Sequence, residues 1–260
     1  MLLFIGQIFP YIAMAVLILG MAWRVRSWLK VPVPFPITIF PAPGTSLGRI
    51  SAVGKELLLF SSLRRGDTGL WFWAWVMHVA LAMIIAGHIV GIYYVTHQFT
   101  LIGLTEQASS RASAMIGSIA GGGLLLALIV LLYRRVAIPE VKRLSDPADY
   151  FELLLLLAIV VTGMHMRTVS EINLPVIREY LGGLIMLHPV AIPPEPIFMS
   201  HFFLVNILMI YLPFSKLVHM AGFLVNRAML VEAPPSYPAS SGAAGRSSQP
   251  AHIVKGGTEL

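Results

Sequence analysis

The sequence predicts an all-α integral membrane protein: a five-transmembrane-helix bundle with its N-terminus outside and its C-terminus in the cytoplasm. Three observations predict it. Hydrophobic residues make up 57% of the 260 residues and charged residues only 12%, whereas soluble domains average about 25% charged. Five apolar runs are each long enough to cross roughly 30 Å of hydrocarbon at about 1.5 Å per residue. Of the 18 Lys and Arg, all but Arg111, Arg167 and Arg178 fall on one side of that topology, a strong positive-inside pattern.

The first run, residues 2–23, is broken only by Gln7 and stopped by Arg24, Arg26 and Lys30. No basic region precedes it and no small-residue cleavage site follows, so it reads as a span and not a removable signal peptide. Residues 31–70 form a cytoplasmic loop. Its opening, VPVPFPITIFPAPG, is expected to be extended and irregular, because each proline fixes φ and removes a backbone donor. Residues 47–63, LGRISAVGKELLLFSSL, show helical apolar spacing with Arg49 and Lys55 on the polar side. They predict an amphipathic helix lying in the membrane surface or docked on a partner.

The second span, 71–95, opens on the aromatic belt WFWAW. The third, 113–133, holds Gly117 and Gly121–Gly123, where helices can approach closely, and ends before Arg134, Arg135, Lys142 and Arg143. The fourth covers 150–166. A loop over 167–196 includes an apolar stretch, 180–187, too short to cross. The fifth span covers 197–224. Residues 1–231 are thus the membrane domain, and 232–260 a low-complexity cytoplasmic tail that cannot bury a core.

Composition also excludes. Without cysteine there are no disulfides, no iron–sulphur ligation and no covalent c-type haem attachment. Chemistry at sulphur must then belong to a partner. The net charge of +6 follows the topology, so the lipid bilayer, not nucleic acid, is the partner it implies. The 13 methionines are scattered, and core packing explains them better than ligation.

Histidines carry the functional signal. His78 and His88 lie ten residues apart in the second span, His201 and His219 eighteen apart in the fifth. An ionisable side chain at hydrocarbon depth is costly and marks function, although a single one is equally explained by a hydrogen bond to a neighbouring helix. Four in matching order are not. The two spans run in opposite senses, so antiparallel neighbours pair His78 with His219 near the cytoplasm and His88 with His201 near the outside. Each pair offers two neutral imidazoles to one iron and leaves no open position, which suits two b-type haems acting as electron carriers. Gly87 and Gly91 flank His88 and leave room for a flat macrocycle. One mismatch stands: ten residues advance about 15 Å and eighteen about 27 Å, so the fifth helix must tilt or bend, and Pro213 lies where it can kink.

The other candidates each have a plain alternative. Lys216 and Arg227 on the inner side, and Arg111 and Arg167 on the outer, are available partners for haem propionates or simple interfacial anchors. His97 and His165, at the outer ends of their spans, are candidates for a quinone headgroup; a plain interfacial position explains His97 as well, and a bond to a haem propionate or to another helix explains His165. His188 reads as a loop residue and His252 as a solvated tail residue.

These paired histidines, the second pair ending in PFSKLVH, resemble the gamma subunit family of respiratory nitrate reductases, the di-haem cytochromes b. WRVRSWLKVPVPF (23–35), RRVAIPEVKRLSDPADYFELLL (134–155), LHPV (187–190) and YLPFSKLVHMAG (211–222) look closer to one branch, the DsrM-type cytochrome b subunits of the membrane complex tied to dissimilatory sulphite reductase. The resemblance spans residues 12–226. It implies two haem b held by His78, His88, His201 and His219, and electron exchange with menaquinone or a related quinone. It further implies a cytoplasmic iron–sulphur partner resembling the catalytic subunit of heterodisulphide reductases, other membrane and periplasmic redox subunits, and the inner membrane of a prokaryote. No motif fixes the family's quinone site here; proton release outside would conserve energy and favours the outer end.

Three alternatives remain at this level, one of them a structural anchor whose haems are vestigial. A nitrate reductase gamma subunit is opposed by the long 31–70 segment and the IPEVKRLSDPADYF loop. A transporter using histidines as proton relays would be colourless, and the matched broken halves common in that class are absent.

Overall fold

The computed structural model describes residues 2–30, 45–94, 97–170 and 172–230. The proline-rich opening of the 31–70 loop and the 232–260 tail lie outside the described residues. Among the described residues every regular element is helical, and five helices are long and apolar enough to span a membrane: Phe4–Leu29, Thr68–Gly91, Glu106–Ala137, Pro147–Thr168 and Pro196–Phe214. Many large apolar side chains on these helices are exposed, Leu19 and Ile119 among them. That is how a chain solvated by lipid presents itself, since burying them gains nothing over hydrocarbon.

Local chemistry sets the helix ends. Helix α1 (Phe9–Leu29) continues a π-helical turn, Phe4–Ile8, and carries Pro10 just past that junction, inside a helical run from Phe4 to Leu29, where its missing N–H removes one ladder bond to the preceding turn. Helix α2 (Ser46–Leu59) begins where the Thr45 hydroxyl accepts from Gly48 N–H at 3.1 Å. A short α3 (Ser61–Gly66) leads to α4 (Thr68–His88), which runs on as a π-helical turn, Ile89–Tyr94. Asp67 caps α4 by accepting from Leu70 N–H at 2.8 Å, and Arg134 donates to its other oxygen at 2.6 Å. Those two contacts, the Leu70 N–H first, hold the Asp67 carboxyl below its ordinary range, against a smaller opposing effect of burial.

Helix α5 (Glu106–Ala137) is capped by Thr105, and α6 (Pro139–Arg143) turns the chain into α7 (Pro147–Thr168), which starts in a capping box between Asp146 and Asp149. The third and fourth spans are thus longer than their apolar cores, because a capped helix satisfies its own backbone well past the hydrocarbon edge. Then come α8 (Leu174–Ile185), α9 (Pro196–Tyr211) and α10 (His219–Leu230). Packing proceeds in the order α4, α5, α7, α9, α1.

The short apolar stretch in the 167–196 loop becomes α8, and it does structural work. Its fully buried Tyr180 donates its hydroxyl to Gly6 O in the turn before α1 and packs edge-on against Phe198 and Phe202 of α9. Tyr11 donates to Leu184 O at 3.0 Å and Gln7 to Val190 O at 3.0 Å. Burial, and Tyr11 after it, push the Tyr180 hydroxyl up to about 12.

An unbroken fifth span over 197–224 does not form. Helix α9 stops at Tyr211, a 3₁₀ turn covers Leu212–Phe214, Ser215 is extended, and a second 3₁₀ turn covers Lys216–Val218 before α10 begins at His219. Pro213 is the cause: it lacks the N–H that would continue the ladder, and its ring collides with the preceding turn. The break is packed in place from below, since a Cβ on Gly20 of α1 would lie 2.8 Å from the Pro213 ring.

Candidate functional site

The break in the fifth span resolves the mismatch between spacings of ten and eighteen. With the chain folded short after Tyr211, His219 reaches His78: their Nε2 atoms are 3.4 Å apart. The ring centroids are 5.7 Å apart, further by about the width of one ring, so the imidazoles meet nitrogen to nitrogen with planes crossed at 80°. His88 and His201 face each other with centroids 6.5 Å apart and planes 14° from parallel.

Each of the four has its other nitrogen committed. His78 Nδ1 donates to Ala74 O at 2.7 Å, His88 Nδ1 to Ile84 O at 2.7 Å, and His219 Nδ1 to Lys216 O at 2.9 Å. His201 Nδ1 lies 3.0 Å from Ile159 O and 3.0 Å from the Thr162 hydroxyl. A carbonyl can only accept, so the proton of each neutral ring is on Nδ1 and every Nε2 presents a bare lone pair. In the first pair, two acceptors therefore confront each other at 3.4 Å, an arrangement that repels unless an electron-pair acceptor lies between them. A ring nitrogen fixed by a carbonyl behind it is also the usual support for a metal-binding imidazole.

A bare ion has no seat here: among the described residues no three His, Asp or Glu converge. Two opposed imidazoles suit a metal whose remaining bonds come from a macrocycle, as in bis-histidine haem. A Cβ added at Gly87 would meet nothing, which leaves room beside His88, but one at Gly91 would meet Gln98 Oε1 at 2.9 Å, so Gly91 makes way for Gln98 and not for a macrocycle. At Gly163 a Cβ would press on His201 Cε1 at 3.2 Å, so α7 grants that imidazole its place by omitting a side chain.

The turn carrying His219 is clamped. Lys216 N–H donates to Glu152 at 3.1 Å, and Lys216 Nζ donates to Asp149 and Asp146 at 2.9 Å each. Asp149, buried, also accepts from Arg135 at 3.2 Å and from Asp146 N–H at 3.0 Å. The Asp149 carboxylate, and Asp146 after it, hold the Lys216 ammonium above its ordinary range. Lys216, expected as a propionate partner, thus already has two carboxylates.

The remaining candidates stand apart from the pairs. His97 lies 3.1 Å from the Ser110 hydroxyl and 3.8 Å from Glu106; His165 lies 3.0 Å from the Ser170 hydroxyl. Arg167 folds back to donate to Ser113 O and Ala114 O over Gly117, and Arg111 is exposed. The Arg227 side chain and His252 lie outside the described residues. Sequence reasoning missed Thr162, Gly163, Asp149 and Glu152. Glu152, a carboxylate inside the fourth span, was the available signal, since charge at that depth asks for a partner.

Fold and site together define a class, a five-span helical membrane protein built around two opposed histidine pairs. A sequence model of the nitrate reductase gamma subunit family matches residues 61–232, which include all four histidines. The chain belongs to that family. It is 28% identical over 254 residues to the Hdr-like menaquinol oxidoreductase cytochrome b-like subunit of Archaeoglobus fulgidus, covering 84% of this chain and 76% of that one. The protein of the same name from Archaeoglobus profundus is 27% identical over 265 residues, covering 85% and 76%. The nitrate reductase gamma chain of Bacillus subtilis is 25% identical over 179 residues, covering 65% and 77%. This chain is accordingly a cytochrome b-like membrane subunit of the kind found in quinol-linked and nitrate-reducing oxidoreductases.

Proposed function

We propose that the chain is a quinone-linked electron-transfer subunit holding two b-type haems, one between His78 and His219 toward the cytoplasm and one between His88 and His201 toward the outside. The observation that carries this reading is the four committed Nδ1 atoms, which leave every Nε2 bare, with the His78 and His219 Nε2 atoms 3.4 Å apart and the His88 and His201 rings opposed at 6.5 Å. When bound, haem iron supplies a one-electron ferric–ferrous couple at each position. A quinol gives up two electrons and two protons, so a subunit with two one-electron stations can take its electrons singly. The pairs are separated by the ten residues between His78 and His88, about 15 Å along α4.

The quinone is menaquinone or a relative, in line with the names of the archaeal homologues. The electron partner is a cytoplasmic iron–sulphur subunit of the heterodisulphide-reductase type, and the setting is dissimilatory sulphur metabolism at the inner membrane of a prokaryote. The chain has no cysteine, so reaction at sulphur falls to that partner. A nitrate reductase gamma role is the second reading; the smaller share of this chain matched by the Bacillus relative, 65% against 84%, favours the first.

The test is a reduced-minus-oxidised optical spectrum of the purified chain. Split b-type bands that shift when a quinol analogue is added are expected; a colourless protein refutes the reading. Copurification with a partner that couples quinol oxidation to a dithiol–disulphide pair separates it from nitrate reduction.

A further inference from the structure

Phe60 joins α2 to α3 with φ 48° and ψ 48°. This left-handed conformation is routine for glycine and costly for a bulky side chain, and such costs persist where surrounding structure enforces them. The surroundings here do. Phe60 N–H donates to Glu56 O at 3.0 Å, and Phe60 O accepts from Arg64 N–H at 3.0 Å. The Glu56 carboxylate accepts from Ser62 N–H at 3.1 Å and from the hydroxyls of Ser61 and Ser62. The indole N–H groups of Trp71 and Trp75, on α4, donate to Leu59 O at 2.7 Å and Leu58 O at 2.9 Å. The turn is therefore fastened to the same helix that carries His78.

What the strained turn delivers is a ring. Phe60 stands edge-to-face on the His78 imidazole, centroids 5.0 Å apart and planes at 85°. Glycine would make this turn without strain, but it would leave that flank of His78 open. Aromatic pairs favour this perpendicular geometry, so the ring both orients the imidazole and covers it with apolar surface.

We infer that Phe60 is a positioning residue for the metal-binding imidazole of His78, and that its ring closes this end of the site to water. The inference rests on the two-haem reading above. An apolar cover disfavours the more positively charged ferric state, so removing it lowers the potential of the adjacent haem.

The test is a redox titration of the purified full-length chain carrying Phe60→Gly, which relieves the strain and deletes the ring, and Phe60→Trp, which restores an aromatic face. In Phe60→Gly, one haem shifts about tenfold toward its oxidised form, roughly 59 mV for a one-electron couple, while the other is unmoved. Phe60→Trp returns it most of the way. If Phe60→Gly loses both haems, Phe60→Leu decides: a same-sign shift of one haem supports the inference, and unmoved midpoints overturn it. A two-haem wild type whose midpoints do not change in Phe60→Gly, or change equally at both haems, overturns this inference alone. A colourless wild type overturns both.

Discussion

Asp149→Ala tests how firmly the break after α9 must be held for His219 to meet His78. The Asp149 carboxylate is 3% exposed and receives Lys216 Nζ, Arg135 and Asp146 N–H. A hydrogen bond to a charged group contributes about 1.5–3 kcal/mol. Here the cations recover water once released, since the Lys216 and Arg135 side chains are 58% and 32% exposed, so the sum falls well short of additive. A net loss of about 2–3 kcal/mol is expected, most of it at the capping box and the Lys216 turn. At about 1.4 kcal/mol per tenfold, that weakens retention of the group between His78 and His219 by roughly 30- to 150-fold. Haem content after size exclusion in detergent, with a redox titration to say which haem remains, is the assay. Equal retention of both haems, or prior loss of the His88–His201 haem, refutes the reasoning. Asp149→Asn, which keeps the acceptor but not the charge, should lie between the two.

At the other pair, Gly163→Leu drives a side chain into His201, where even a Cβ stands 3.2 Å from Cε1; overpacking of this kind costs about 1–3 kcal/mol. The His88–His201 haem is expected to be lost or spectrally shifted while the other is spared. Tyr180→Phe leaves the Gly6 carbonyl without its donor, at a cost of about 1–3 kcal/mol in thermal unfolding. Its pH dependence has a definite sign. The folded state raises this hydroxyl from an unfolded value of 10.0 to about 12, so its stabilisation is complete below pH 10 and is lost as pH rises toward 12. The wild type should show an alkaline fall in melting temperature over that window, and Tyr180→Phe a smaller one, since the raised Lys216 ammonium still loses its stabilisation there.

The architecture was legible because hydrocarbon imposes length, apolarity and loop charge on each span. Which histidines share a depth follows from their order, because antiparallel spans reverse it; the direct packing of the two spans expected from sequence does not, since α5 and α7 stand between α4 and α9 in the packing order. What spacing did not reveal is the path of the chain: His201 and His219 are eighteen residues apart whether or not the helix survives Pro213. Nor does spacing show which carbonyl stands behind an imidazole, since Ile159 and Thr162 reach His201 from another helix. The 180–187 stretch was recognised as too short to cross, but its role in bracing the turn before α1 depends on Tyr180 meeting Gly6, far away in sequence. Phe60 gave no sign at all, because φ is not written in the residue name.

Haem quantitation per chain in paired histidine substitutions tests the central claim most directly. The wild type should bind two haems, and His78→Ala with His219→Ala should still bind one, as should His88→Ala with His201→Ala. His78→Ala with His88→Ala should bind none. One haem surviving that cross-pair combination, or none surviving a within-pair combination in a folded protein, contradicts the account.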